Sequence, residues 1–167
     1  MTDPNKNAEI ADRFGVVASQ FCSIVDSAST LDRTSFVLQV YKTLPKLIDE
    51  AIHLQDVQSS DDQKATKGTV RQGMEEWKRL YTSLREKLGE WDQYRQVFDP
   101  TQDAEAVHGS LADDIADIYR DLKRGLDLKE AITPHPEDSI WEWRFGFYSH
   151  WGHHAMDALL TIHIRLQ

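Results

Sequence analysis

The chain has 167 residues, 40% of them hydrophobic and 28% charged, and its formal net charge is −9 at pH 7. This length suits one domain that buries its own core, and the acidic balance argues against binding nucleic acid or anionic membranes, because there is no surplus of cationic side chains to attract either. The single cysteine, Cys22, excludes an internal disulfide and a thiolate metal cluster, and the absence of a secretory signal or an apolar run of bilayer length predicts a cytoplasmic protein.

The first third of the chain predicts two amphipathic helices. The first runs from about Lys6 to Ser27 and keeps its apolar side chains on one face. The second has its N-cap at Thr30 or Asp32 and runs to about Gln55. Residues 56–68 are polar and show no periodicity, so we expect a loop there.

A third predicted helix begins near Val70 and ends at about Gly89, a residue type that commonly ends helices. The connection that follows, residues 90–109, is long for a compact domain. Its apolar anchors predict that it is held against the core. These anchors are Trp91, Tyr94 and Phe98.

The last two predicted helices follow this connection. The fourth begins at Ser110, whose hydroxyl can cap it, and the last covers Asp138–Gln167. The last helix is apolar on most of its faces, which is typical of a buried helix. Its predicted core stripe is Trp141, Phe145, Tyr148, Gly152, Ala155, Leu159, Ile162 and Leu166. The predicted fold is therefore all-α, an antiparallel bundle of about five helices that forms one domain over residues 1–167, with the C-terminal helix central.

Five segments occur in a specific order and spacing. They are FGVVASQFCSIV, TLPKLIDEA, LGEWDQYRQVFDP, SLADDIADIYRDLKRGL and HWGHHAMDALLTIH. Together they resemble a bacterial family known as domain of unknown function 5063. The resemblance covers nearly the whole chain, and the last two segments are its most specific parts. It implies a compact all-helical bundle in a bacterial cell, and it implies no activity.

Two rows of polar side chains are the candidates for a metal site. One row consists of His150, His153 and Asp157 on the last helix, and the other consists of Asp114, Asp117 and Asp121 on the fourth. Each row follows i, i+3 and i+7, so its members share one helix face. If the rows face each other, they offer nitrogen and oxygen ligands that suit Zn, Mn, Fe or Ni. A metal-bound water could then attack a phosphorylated or amide substrate, with a spare aspartate as the base.

A structural interpretation competes with this hypothesis. A histidine sector on an apolar helix is more often hydrogen-bonded to neighbouring helices, and the aspartates alternate with basic residues as they do on exposed helix faces. The protein would then be an interaction or adaptor domain, with a protein partner or a second copy, an exposed apolar patch along the first or third helix, and no metal dependence. Familiar hydrolase signatures such as H-E-x-x-H and G-x-S-x-G are absent, so the sequence names no catalytic residue.

Arg144 falls within the apolar stripe of the last helix. Because a buried guanidinium needs an anionic partner, we expect it to pair structurally with one or two aspartates of the fourth helix. The alternative is that Arg144 holds an anionic ligand bidentately.

Overall fold

The computed structural model describes residues 4–60, 70–97, 99, 101–102, 105–131 and 133–167. Within these ranges the chain forms six α-helices and one two-stranded sheet. The elements are α1 (Pro4–Asp26), α2 (Arg33–Ile52), α3 (Val70–Leu88), β1 (Gln93–Gln96), β2 (Val107–Ser110), α4 (Leu111–Lys129), α5 (Pro136–Ser149) and α6 (Trp151–Arg165). The predicted all-α class is confirmed. Among the described residues, no helix combines the length and hydropathy that a membrane span requires.

Several helix ends lie where the sequence places them. The carboxylate of Asp32 accepts a hydrogen bond from the Ser35 amide and caps α2, which selects Asp32 over Thr30. Gly89 follows α3 with a φ of 56°, a backbone conformation that favours glycine. The hydroxyl of Ser110 accepts a hydrogen bond from the Asp113 amide and caps α4.

The centre of the bundle is shared by α4 and α5. α4 packs against α1, α3, α5 and α6, and α5 packs against α1, α2, α4 and α6. Trp143 of α5 is fully buried, and its ring centroid lies 4.8 Å from that of Phe14 in α1. Its indole N–H donates to the Leu122 carbonyl of α4 at 3.1 Å. The prediction that the C-terminal helix is central therefore holds for its first half, which is α5.

The predicted last helix is in fact two helices that meet at His150. The backbone of His150 has φ −152° and ψ −84°, which is outside the helical region. Glycines allow the close junction: a Cβ at residue 152 would lie 2.1 Å from the Phe147 carbonyl oxygen, and one at residue 146 would lie 2.8 Å from Trp151 Cδ1. This break changes the helical phase and is the main correction to the predicted fold.

The break also corrects the predicted core stripe. Phe145 and Tyr148 of α5 are 55% and 58% exposed, whereas Trp143 and Phe147 are buried in their place. The stripe predicted from one continuous helix is correct in α6, where Ala155 and Ile162 are buried, and wrong at Phe145 and Tyr148 in α5.

The sheet is a second difference from the prediction. β1 and β2 pair antiparallel, with Gln93 opposite Ser110 and Gln96 opposite Val107. The sequence QYRQ has no apolar alternation of the kind that identifies a half-buried strand, so periodicity misses it. Tyr94 lies in β1 and is partly buried, as is Trp91 before it. Phe98, the third expected anchor, lies outside the described residues, as does most of the predicted loop at 56–68.

Exposed apolar side chains occur on the first and third helices, where a patch was expected, and also on α6. Among the side chains that the structure describes, Val16 of α1 and Met74 of α3 are exposed, but α6 carries a row whose members are spaced by four residues. The row consists of Met156, Leu160 and Ile164, which are 45%, 60% and 60% exposed. Among the described side chains, the longest exposed apolar row is therefore on α6.

Asp92 fixes the start of α4, and replacing it with alanine is expected to lower the free energy of unfolding by about 2 kcal/mol. Its carboxylate is 1% exposed and accepts hydrogen bonds from the Ser110 hydroxyl at 2.8 Å and the Ala112 amide at 2.9 Å. Without it, the buried Ala112 amide loses its partner. Urea denaturation followed by circular dichroism measures the change, and an unaltered transition midpoint would show that this cap is dispensable.

Candidate metal centre

Two histidines of the α5–α6 region face the acidic side of α4. His150 is the junction residue between α5 and α6, and His154 lies in the first turn of α6. Their ring centroids are 4.9 Å apart. With the helix interrupted at His150, both imidazoles reach the carboxylates of α4.

The two imidazoles share one carboxylate oxygen on their Nε2 side. His154 Nε2 lies 3.4 Å from Asp117 Oδ2, and His150 Nε2 lies 3.7 Å from the same oxygen. These separations exceed those of ordinary hydrogen bonds. They are close to the distance of about 3.4 Å between two ligand atoms that each lie 2.0–2.1 Å from a tetrahedral zinc ion. Both nitrogen–oxygen distances are therefore compatible with a shared metal ion.

On its other side, each imidazole bonds to a different aspartate. His150 Nδ1 lies 2.7 Å from Asp121 Oδ2, and His154 Nδ1 lies 2.8 Å from Asp114 Oδ1. Because an ionised carboxylate can only accept hydrogen bonds, each Nδ1 is assigned as the donor. A donating Nδ1 places the lone pair of a neutral imidazole on Nε2, the nitrogen that faces Asp117. Metal-binding histidines almost always make such a bond with the ring nitrogen that does not coordinate.

A further layer of residues holds these carboxylates in place. The Tyr94 hydroxyl of β1 donates to Asp114 Oδ2 at 2.7 Å. The Arg120 guanidinium lies 2.8 Å from Asp117 Oδ1 and 3.6 Å from Asp121 Oδ1. Each of these three carboxylates thus contacts an imidazole through one oxygen and another polar group through the other.

β1 also reaches α6 at the edge of this cluster. When the Gln96 amide is oriented with its nitrogen towards Asp157, it donates to Oδ2 at 2.5 Å. Arg165 Nη2 donates to the Gln93 carbonyl at 2.9 Å. β1 therefore lies along one side of the cluster.

Burial raises the pKa of three carboxyl groups at the cluster. It raises the pKa of Asp114 to about 6, although the hydrogen bonds from His154 and Tyr94 favour ionisation. Burial also raises the pKa of Asp113, and the charge of Asp117 adds to that effect. Burial likewise raises the pKa of Asp157.

The pKa of His154 moves in the direction that its partners impose. Burial by itself would lower this pKa, because it disfavours the charged imidazolium. The hydrogen bond to Asp114 and the charges of Asp114, Asp117 and Asp113 outweigh burial and raise the pKa above its ordinary value. In the metal-free protein, His154 and Asp114 therefore hold protons to a higher pH than they do in the unfolded chain.

The metal-free protein is expected to lose stability as the pH rises from about 5 through the raised pKa of His154. The folded state binds more protons than the unfolded state wherever a folded pKa is raised, so the free energy of unfolding falls with increasing pH. For Asp114 the window runs from its ordinary pKa of roughly 4 to its folded value of about 6, and for His154 it begins near 6.5 and ends at its raised pKa. The expected loss is about 1–2 kcal/mol.

Urea denaturation in the presence of a chelator, repeated across this pH range, measures this slope. The matched control is the Asp114→Asn, His154→Gln protein, in which the slope should largely disappear. Equal slopes in the two proteins would show that other groups set the pH dependence.

The structure brings together four of the six residues proposed as metal ligands, namely His150, Asp114, Asp117 and Asp121. His153 lies on the exposed side of α6, and His154 faces α4 in its place. Asp157 is half-buried at the edge of the cluster, facing Gln96. The i, i+3 and i+7 spacing that selects His150, His153 and Asp157, here called the spacing rule, assumes one continuous helix through residue 150. It therefore selects the wrong histidine. The adjacent pair His153–His154 was the one available signal, since either ring could face α4 depending on the helical phase.

Arg144 is also placed differently from the expectation. Its guanidinium pairs with Asp56 at 3.4 Å and lies over the Tyr148 ring, 5.1 Å from the centroid. The expected pairing with aspartates of α4 is therefore incorrect. The partner instead comes from the segment after α2, which also contacts α5 through hydrogen bonds from Ser60 to Asp138.

A second group of potential ligands shares His154. Within the described chain, two sets of three side chains have ligand atoms within 4.8 Å of one another, Asp117 with His150 and His154, and Asp113 with Asp114 and His154. In the second set, both oxygens of Asp114 already accept hydrogen bonds, from Tyr94 and His154. His154 is also the only histidine of that set, so the set offers a metal ion a single nitrogen ligand. The first set is the better candidate.

Comparisons with known proteins place the chain in context. A family described as Domain of unknown function (DUF5063) matches residues 5–166. A solved structure, protein BF1032 from Bacteroides fragilis, is similar with a TM-score of 0.70 and 21% sequence identity, over 92% of this chain and 90% of that chain. This likeness concerns the fold. No curated protein sequence matches the chain.

Proposed function

Because the chain belongs to the family Domain of unknown function (DUF5063), which brings no activity with it, we propose a function from the geometry of the cluster: the protein binds one divalent metal ion between α4 and α6. The proposed ligands are Asp117 Oδ2 and the Nε2 atoms of His150 and His154. Two nitrogens and one carboxylate oxygen form a set that suits Zn²⁺ or Fe²⁺ and leaves at least one position for water.

One observation carries the proposal. Both imidazoles direct Nε2 to a single oxygen of Asp117, at 3.4 and 3.7 Å, while both Nδ1 atoms are hydrogen-bonded to separate carboxylates at 2.7 and 2.8 Å. A purely structural pair of histidines needs the Nδ1 bonds but has no need for Nε2 atoms that converge without hydrogen bonds. Convergence and outer bonds together are the arrangement of a metal site.

The surrounding charge also favours a cation. Five carboxyl groups surround the imidazoles, and the Arg120 guanidinium contacts two of them, Asp117 and Asp121. The five groups are Asp113, Asp114, Asp117, Asp121 and Asp157. Even with a divalent ion bound, the carboxyl groups would outnumber the cationic groups, so a phosphorylated substrate would be repelled.

A surface concavity next to Gly15, Val16 and Lys129 lies on the α1–α4 side. None of the five aspartates and neither imidazole of the cluster lines it. We therefore propose ion binding without hydrolysis of a phosphorylated substrate.

Thermal melts of tag-free protein test this proposal. With chelator present, and then with Zn²⁺, Fe²⁺, Mn²⁺, Ni²⁺ or Mg²⁺ added separately, a saturable rise in midpoint is expected for Zn²⁺ or Fe²⁺, because an ion that binds only the folded state stabilises it. The rise should shrink at acidic pH, where His154 keeps its proton. No shift with any ion at pH 7.5 would refute the proposal.

A second candidate function is self-association through the exposed row on α6. Met156, Leu160 and Ile164 form a strip without charged members, which allows copies with a net charge of −9 each to approach. Sedimentation velocity of the wild-type protein and of Leu160→Glu tests this candidate. A dimer that Leu160→Glu dissociates would support it, and a wild-type monomer at about 100 µM would exclude it.

A further inference from the structure

We propose that Arg120 determines which divalent ions the site accepts, because it prevents Asp117 from coordinating through both carboxylate oxygens. The inference rests on the proposed function and adds a selectivity role for a residue that does not itself bind the ion.

Arg120 lies on the outer oxygens of two aspartates. Its Nη2 is 2.8 Å from Asp117 Oδ1, and its Nε is 3.6 Å from Asp121 Oδ1. The inner Oδ2 atoms of the same aspartates face His150. The carboxylates are therefore divided, with one oxygen towards the imidazoles and the other towards the guanidinium.

The position of the guanidinium is supported from α3. Its Cζ lies 6.0 Å from the centroid of the Trp77 ring, and its side chain is 37% exposed. An aromatic face at this distance attracts a guanidinium. Arg120 is thus held between α3 and the two carboxylates of its own helix.

Asp117 Oδ1 depends on this positive charge. The oxygen is buried and, within the described part of the chain, accepts no hydrogen bond, since Arg120 Nη2 approaches it at ion-pair distance without hydrogen-bond geometry. A guanidinium remains charged at any pH that the protein tolerates. The Arg120 guanidinium therefore repels a metal ion from Oδ1. Oδ2 is then the single oxygen of Asp117 that can coordinate the ion.

Coordination through one oxygen matters for selectivity. Ca²⁺ takes six to eight oxygen ligands and often uses both oxygens of a carboxylate. Zn²⁺ and Fe²⁺ accept a smaller set that contains imidazole nitrogens. With Arg120 in place, the site offers few oxygens and disfavours Ca²⁺. Without Arg120, both oxygens of Asp117 and the nearby Asp121 carboxylate become available, and the site becomes richer in oxygen.

The test compares the dissociation constants for Zn²⁺ and Ca²⁺ in the wild-type protein, in Arg120→Gln and in Arg120→Lys, by isothermal titration. Heat from ions bound by the His150→Ala, His154→Ala protein is subtracted. The ratio of the Ca²⁺ constant to the Zn²⁺ constant should fall at least about tenfold in Arg120→Gln, and it should fall less in Arg120→Lys, which keeps the charge but not the forked contact with both aspartates. A purely structural role would weaken both ions alike and leave the ratio unchanged.

The outcomes separate this inference from the proposed function. Zn²⁺ binding with an unchanged ratio in Arg120→Gln overturns the role of Arg120 but not the metal site. No Zn²⁺ binding to wild type overturns both. If Arg120→Gln does not fold, X-ray absorption of the zinc-loaded wild-type protein decides: one carboxylate oxygen at about 2.0–2.2 Å supports the inference, and a second oxygen of the same carboxylate in the ion's coordination shell overturns it.

Discussion

Replacing His154 with alanine is expected to weaken Zn²⁺ binding by at least about 100-fold. The change removes one of three proposed ligands, and it also leaves the buried Asp114 without its imidazole partner. Losing an outer partner of a metal site typically costs 10- to 100-fold in affinity, and losing a ligand costs more. Competition with a coloured chelator at pH 7.5 measures the dissociation constants.

His153→Ala is the matched control, because it removes an adjacent imidazole from the exposed side of the same helix turn. Its Zn²⁺ affinity should remain within about threefold of wild type, since His153 is not one of the proposed ligands. This comparison distinguishes the geometry of the structure from the spacing rule, which selects His153. A greater loss in His153→Ala than in His154→Ala would contradict the proposed site.

Replacing Gly125 with alanine is expected to destabilise the fold by about 3 kcal/mol. A Cβ at residue 125 would lie 2.1 Å from Trp143 Nε1 and 2.5 Å from its Cδ1. The fully buried indole would have to move, and its hydrogen bond to the Leu122 carbonyl would be strained or lost. Forcing extra atoms into a packed core commonly costs 1–3 kcal/mol, and a buried donor without its partner costs a similar amount.

Gly73→Ala makes the same chemical change, but it is expected to raise the free energy of unfolding instead of lowering it. Gly73 also lies within a helix, α3, but a Cβ there would meet no atom of the described residues within 4 Å. Alanine should therefore stabilise this position by up to about 1 kcal/mol through its higher helix propensity. Urea denaturation of both variants with chelator present measures the two effects. Similar shifts of the same sign would show that Trp143 does not restrict position 125.

Local signals in the sequence predict much of this fold. The caps at Asp32 and Ser110 and the glycine at residue 89 lie where the chain starts or ends a helix. Such signals work because each depends on a few neighbouring residues and on backbone hydrogen bonds that every helix end must satisfy. The acidic row of α4 was found for the same reason, since an uninterrupted helix keeps its spacing.

The arrangement of the histidines depends on tertiary contacts that periodicity does not contain. The break at His150 depends on two glycines: Trp151 packs closely against Gly146, and the Phe147 backbone packs closely against Gly152. That single change in phase brings His154 to α4, and it exposes Phe145, which a continuous helix would bury. The partner of Arg144 was likewise unpredictable, because Asp56 is 88 residues away in the sequence.

The most direct test of the metal site is an anomalous difference map from crystals of the protein grown with Zn²⁺, measured on both sides of the zinc absorption edge. The proposed geometry predicts one peak about 2.0–2.2 Å from Asp117 Oδ2 and from the Nε2 atoms of His150 and His154. A peak between Asp113, Asp114 and His154, or no peak near any of these residues at full occupancy of added zinc, would contradict it.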